Sequence, residues 1–130
     1  MQNKNIDEMI NLVKNFCEDR DWDQFHNPKD LAIGISTEAN ELLDIFRFKS
    51  EEQMKQIMSS NKKEHVEEEL ADVFFFVLRF AQMNNIDLHQ ILINKIDKNN
   101  QNYPVEKAKG SNEKYKDFEW EVMYEAKNSD

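Results

Sequence analysis

Two stretches of the chain repeat one pattern, in which carboxylates border a helical stripe of apolar residues. Residues 35–46 read ISTEANELLDIF, and residues 66–77 read VEEELADVFFFV. At about 100° per residue, the apolar side chains of each stretch share one face of a helix. These positions are Ile35, Ala39, Leu42 and Phe46 in the first stretch and Val66, Leu70, Val73 and Val77 in the second. The pattern predicts two amphipathic helices of the same design.

Each predicted helix carries an acidic pair beside its apolar face. Glu38 and Glu41 are i, i+3 neighbours, and so are Glu69 and Asp72, so each pair projects from adjacent turns of one surface. None of the four has a Lys or Arg at i+4, where a routine surface ion pair would place one. An isolated acidic pair is usually a solvated face, but the repetition at the edge of two apolar stripes favours a common site.

The two acidic pairs together predict a cation site. Two helices joined by a loop of this length pack most easily as antiparallel neighbours, which brings the pairs towards each other. Carboxylates at close range raise one another's affinity for protons unless a cation takes the proton's place. Ligand sets made only of oxygen select hard ions, and Mg²⁺ takes one or two carboxylates while keeping waters or substrate phosphates. We therefore expect Mg²⁺ at Glu38, Glu41, Glu69 and Asp72.

Composition sets limits on fold and partners. The 130 residues include two glycines and two prolines, which favours a single all-helical domain over a fold with many turns. The formal charge of −9 argues against nucleic acid as a partner, because Lys and Arg supply most of the affinity for its backbone. A nucleotide that arrives with Mg²⁺ remains compatible. The lone Cys17 forbids an internal disulfide and fits a small core residue. Neither a signal peptide nor an apolar run of membrane-spanning length is visible. We therefore expect a cytoplasmic protein without membrane contact.

Helical periodicity predicts main helices at residues 4–19, 31–48, 63–84 and from Leu88 to about Asn99, with room for a short helix around residues 54–58. Asp30 is the expected cap of the second helix. Residues 73–81 of the third helix are apolar nearly all round. A small monomer cannot bury such a segment, so we expect a subunit interface there.

Several other residues admit two interpretations each. Trp22 and Phe25 either close the end of the core or form a pocket wall in which His26 hydrogen-bonds a ligand. Phe48 lies near the same helix edge as Glu41 and faces either the core or a ligand. Lys95 and Asn99, i, i+4 neighbours, are either a solvated edge or phosphate contacts beside an acidic metal site.

Four motifs together carry a resemblance to a known family. They are DWxxFH at residues 21–26, ExxEL at 38–42, EELADV at 68–73 and KIDxNxxxYP at 95–104. On these motifs the chain resembles the MazG-like all-α nucleoside triphosphate pyrophosphohydrolases, most closely their dCTP pyrophosphatase branch. The resemblance covers residues from about 15 to 115 and places a MazG-like domain at residues 1–115, followed by a tail at 116–130.

The resemblance implies a four-helix bundle that assembles into a dimer or a dimer of dimers, with a Mg²⁺-dependent site between protomers. It also implies hydrolysis of a dNTP to dNMP and pyrophosphate. For the attack of water on the α-phosphorus, we expect Glu38 or Glu41 to orient or deprotonate a metal-bound water. The implied metal ligands are the four acids named above. The residues that match the family's base pocket are Trp22 and His26, and those that match its phosphate and sugar contacts are Lys95 and Asn99. We expect Phe25, Phe48 and Phe76 as further substrate contacts.

Two departures from the dCTP branch concern its base specificity. Phe48 stands where that branch tends to have Trp, and Phe76 where it has Tyr, so an indole N–H and a hydroxyl are lost. A dUTPase-like enzyme, or another MazG-type enzyme for altered nucleotides, is therefore an alternative. A non-catalytic helical interaction protein, with the phenylalanine-rich third helix as its binding surface, is an alternative from another class.

Overall fold

A computed structural model describes residues 5–113. Every regular element in that part of the chain is helical, which confirms the predicted all-helical class, and none of these helices is long and apolar enough to cross a membrane. The expected tail at 116–130 lies outside the described residues. The helices are α1 (Ile6–Asp19), α2 (Pro28–Phe46), α3 (Glu51–Met58), α4 (Lys63–Met83), α5 (Leu88–Asn102) and α6 (Val105–Ala108), with a 3₁₀ turn at Asp23–Phe25.

Side-chain caps set the starts of α1, α2 and α3. Asn5 accepts a hydrogen bond from the backbone N–H of Glu8 at 2.9 Å and caps α1. The predicted cap at Asp30 is wrong, because Asn27 accepts from the backbone N–H of Asp30 at 2.8 Å and α2 begins at Pro28. Proline suits the first helical position, where no N–H is needed. Asp30 lies instead in the first turn, where the helix dipole favours its charge.

The core is formed where α4 packs against α1 and α2. Val13, Cys17 and Leu78 are buried together. Cys17 is fully buried, and burial raises the pKa of its thiol, which fits a core residue better than a nucleophile.

The chain divides into two compact units between Leu88 and His89. The first unit contains α1 to α4 and therefore all four predicted metal ligands. The second unit contains α6 and nearly all of α5, including Lys95 and Asn99.

Gly34 marks the close approach of α2 to α4. A Cβ atom at this position would lie 2.6 Å from Cδ1 and 2.9 Å from Cγ of the Phe76 ring. The Cγ atom is close to the backbone, so the ring cannot move away without a change of rotamer. The absence of a side chain at Gly34 therefore allows the acid-bearing faces of α2 and α4 to approach each other closely.

Gly34→Ala should lower the free energy of unfolding by about 1–2 kcal/mol. Overpacking costs about 1–3 kcal/mol, which outweighs the gain of up to about 1 kcal/mol in helix propensity. Thermal denaturation measures the loss, with Ser36→Ala on the exposed side of α2 as the control. Combining Gly34→Ala with Phe76→Leu should restore part of the stability, whereas strictly additive losses would show that the two residues do not oppose each other.

Candidate active site

The packing of α2 on α4 brings carboxylates from both helices together. Glu38, Glu41 and Glu69 each offer an oxygen, and these oxygens all lie within 4.8 Å of one another. Asp72 lies one turn beyond Glu69 on α4, near enough for its charge to raise the pKa of both Glu38 and Glu69. Three of the four predicted ligands thus lie within reach of one ion, and the fourth lies beside them.

The electrostatics of this cluster favour a cation. Burial, then hydrogen bonding and charge repulsion from Glu41, raise the pKa of Glu38 to about 7. Burial and hydrogen bonding with Glu41 also raise the pKa of Glu69. The Oε2 atoms of Glu38 and Glu69 are buried without a hydrogen-bond partner in the described part of the chain. Buried carboxylate oxygens without partners are costly, and an all-oxygen set of this kind fits a hard divalent ion such as Mg²⁺.

His65 orients one of these carboxylates. Its Nε2 lies 3.1 Å from Oε1 of Glu69, one helical turn away. The His65 side chain is 61% exposed, whereas that of Glu69 is 14% exposed. His65 therefore fixes one oxygen of Glu69 from the solvent side and leaves the buried oxygen available to a metal ion, as residues that support metal ligands commonly do.

A cavity of about 610 Å³ opens beside the carboxylates. This volume lies in the range of small-molecule sites. Lys49 and Lys62 contribute positive charge to a cavity wall that also contains two of the predicted metal ligands, Glu41 and Glu69. The lining residues are Glu41, Asp44, Ile45, Lys49, Ile57, Lys62, His65 and Glu69.

The contacts of the aromatic loop, residues 22–26 between α1 and α2, agree with the first of its two interpretations. The Trp22 ring contacts Phe16 edge-on with centroids 5.5 Å apart, so it helps to close the core. Phe25 remains 62% exposed. His26 is partly buried, and its Nδ1 accepts a hydrogen bond from Nε of Arg79 at 2.9 Å.

Arg79, which was not among the predicted site residues, bonds this loop to α4. Its side chain is fully buried on α4 and also donates to Asp23 and Gln82. The available signal was an arginine inside the apolar run Val77 to Ala81, since charged residues are almost never buried without partners.

The other predicted contacts lie just after α2, on α4 and on α5. Phe48 is 91% exposed with φ of 63°, a left-handed conformation that is costly for a bulky residue, and the Arg47 guanidinium lies 4.9 Å from its ring centroid. The Phe76 ring packs on Gly34 and meets Phe75 edge-on. Lys95 is exposed and Asn99 partly buried on α5, within the second unit.

The sequence pattern of the MazG-like family matches residues 33–118. The chain belongs to the MazG-like family. The match includes both acidic pairs, so the carboxylate cluster lies inside the family domain.

Curated relatives of this MazG-like chain share about a third of its residues. It is 35% identical over 114 residues to dCTP pyrophosphatase 1 of Mus musculus, covering 87% of this chain and 67% of that protein. It is 33% identical over 114 residues to dCTP pyrophosphatase 1 of Bos taurus, covering 87% and 68%. Among solved structures, a pyrophosphatase from Archaeoglobus fulgidus superimposes with a TM-score of 0.71 at 32% identity, covering 80% of this chain and 96% of that one.

Proposed function

We propose that this MazG-like protein is a Mg²⁺-dependent nucleoside triphosphate pyrophosphohydrolase that converts a dNTP to dNMP and pyrophosphate. The observation that carries the proposal is the convergence of Glu38, Glu41 and Glu69, with two buried oxygens that lack partners. Relatives named dCTP pyrophosphatase 1 support this enzyme class. We propose dCTP, or a related or modified nucleotide, as the preferred substrate, which gives the enzyme a house-cleaning role in the cytoplasmic nucleotide pool.

The reaction is the attack of water on the α-phosphorus. The new P–O bond forms as the bond to the bridging oxygen of the β-phosphate breaks, so pyrophosphate leaves and dNMP keeps the oxygen of water. Glu38, Glu41, Glu69 and Asp72 would hold Mg²⁺, which, when bound, supplies positive charge against the negative charge of the triphosphate. Glu38 or Glu41 accepts the proton from the attacking water.

The triphosphate and the nucleoside occupy different parts of the proposed site. Lys49 and Lys62 line the cavity beside the carboxylates, so they add cations where the phosphates of a tetra-anionic substrate would lie. We propose Lys95 and Asn99 as further phosphate and sugar contacts. The proposed base and sugar contacts are Trp22, Phe25, His26, Phe48 and Phe76.

A dNTP panel tests this function. Incubation of the protein with each dNTP, with dUTP and with a modified pyrimidine triphosphate, in the presence of Mg²⁺, should release the monophosphate and pyrophosphate, fastest from a cytosine nucleotide. A preference for dUTP would make the chain a dUTPase-like member of the family. The absence of turnover with every nucleotide would favour a non-catalytic interaction protein.

We further propose a four-helix MazG-like bundle that assembles as a homodimer or homotetramer. The phenylalanine-rich helix supports this, because Leu70 and Phe74 on α4 are 56% and 43% exposed. Together with Ala71 and Val73 they line an apolar hollow that a second subunit would cover. Light scattering at low micromolar concentration should give at least twice the monomer mass of 15.6 kDa. A monomeric mass would contradict the assembly.

A further inference from the structure

Arg79 is the only buried charged side chain among residues 5–113, and its exposed fraction is zero. It lies on α4 next to Leu78, which belongs to the core with Val13 and Cys17. A buried guanidinium is stable only if a counter-charge and hydrogen-bond acceptors offset its desolvation. The hydrogen-bond acceptors of the guanidinium therefore indicate why an arginine occupies this buried position.

Three acceptors share the guanidinium. Asp23 supplies the counter-charge and Gln82 a neutral amide oxygen. The third acceptor is Nδ1 of His26. Asp23 and His26 lie at two ends of the short aromatic loop, more than fifty residues away in sequence, whereas Gln82 lies on the same helix as Arg79. Arg79 thus fastens the loop that carries Trp22, Phe25 and His26 onto α4.

The bond from Arg79 sets the protonation state of His26. A guanidinium donates hydrogen bonds and cannot accept them, so Nδ1 of His26 must be unprotonated. The hydrogen of the neutral ring is therefore on Nε2. Burial and the neighbouring charge of Arg79 both lower the pKa of His26, while Asp23 and Asp30 oppose them. No residue in the described part of the chain bonds to Nε2 of His26, which leaves that N–H available to a ligand.

We propose that Arg79 is a positioning residue for base recognition, because it presents His26 as a fixed hydrogen-bond donor, through Nε2, to an acceptor on the edge of the substrate base. The proposal rests on the proposed function and adds that the preferred base places an unprotonated ring nitrogen or a carbonyl oxygen opposite Nε2, whereas a base that places an N–H or C–H there is disfavoured. Without Arg79 the ring samples both tautomers, and only one of them donates from Nε2. Specificity then falls because the site no longer rejects bases that lack the acceptor.

The first test needs no turnover. Two-dimensional ¹⁵N NMR of the imidazole at pH 8 should show His26 of the unmodified protein with its hydrogen on Nε2. In Arg79→Met the ring should become a mixture of tautomers and its pKa should rise, since Asp23 and Asp30 are no longer opposed. A hydrogen on Nδ1 in the unmodified protein would overturn the proposal even if no variant of Arg79 folds.

The second test is kinetic. Arg79→Met and His26→Ala should each lower kcat/KM for the preferred dNTP about tenfold more than for the other dNTPs, mainly by raising KM. Leu78→Ala is the matched control, because it removes core volume beside Arg79 without removing a group that holds His26. It should lower stability and leave the ratio between nucleotides unchanged.

Two outcomes distinguish a failure of the Arg79 proposal from a failure of the proposed pyrophosphohydrolase function. If Arg79→Met slows every dNTP by the same factor, as Leu78→Ala does, Arg79 is purely structural and the proposal is wrong. If the unmodified protein hydrolyses no nucleotide, the proposed function is wrong and base recognition with it. In that case the NMR experiment still decides whether Arg79 fixes the His26 tautomer.

Discussion

Glu41→Gln, or Asp72→Asn, should lower kcat by about three orders of magnitude while the fold is retained. Each substitution removes the charge of a proposed metal ligand and keeps nearly the same volume. A metal ion contributes several kcal/mol of charge stabilisation to such a reaction, and about 4 kcal/mol corresponds to roughly a thousandfold in rate. Steady-state kinetics at saturating dNTP and Mg²⁺ measure the loss, and circular dichroism confirms that the helices remain.

Glu64→Gln supplies the matched control for this prediction. Glu64 lies on the same helix as Asp72, is exposed, and loses the same single charge. Its kcat should stay within about twofold of the unmodified value, as expected for a surface substitution. If Glu41→Gln or Asp72→Asn retained activity at saturating Mg²⁺, the assignment of these acids to the metal would be refuted.

Glu38→Gln should abolish turnover and yet raise the melting temperature of the metal-free protein at pH 8. The pKa of Glu38 is about 7 in the folded state, against an ordinary value of 4.5. The folded state therefore binds this proton more tightly than the unfolded state does. The cost of ionising Glu38 begins above about pH 4.5 and is complete above about pH 7. Glutamine removes that cost together with the repulsion from Glu41, Asp72 and Glu69.

The sign of this effect can be read from melting curves across pH in the presence of a chelator. The difference in melting temperature between Glu38→Gln and the unmodified protein should grow from pH 5 to pH 8. Millimolar Mg²⁺ should shrink or reverse it, because binding to the folded state stabilises only the protein that keeps its ligands. A variant that is less stable than the unmodified protein at pH 8 without metal would contradict the electrostatic description of the cluster.

The sequence predicted the carboxylate cluster because helical spacing is a local property. Glu38 with Glu41, and Glu69 with Asp72, share helix faces whatever the rest of the fold does, and their apolar stripes leave few ways to pack. The start of α2 was mispredicted for a local reason, since Pro28 serves as well inside a first turn as before a helix.

Arg79 was not predicted as a site residue because two of its partners, Asp23 and His26, lie more than fifty residues away from it in sequence. Nothing near residue 79 indicates that Asp23 and His26 lie opposite it. The same limit applies to Phe48, whose left-handed backbone after α2 has no glycine or asparagine to mark it. Long-range pairing of this kind depends on tertiary packing, which helical periodicity does not specify.

The most direct test of the proposed reaction is the hydrolysis of dCTP with Mg²⁺ in H₂¹⁸O, followed by ³¹P NMR and mass spectrometry of the products. Attack at the α-phosphorus predicts one ¹⁸O atom in dCMP and unlabelled pyrophosphate. Label in pyrophosphate, release of dCDP with inorganic phosphate, or no hydrolysis of any dNTP would contradict it.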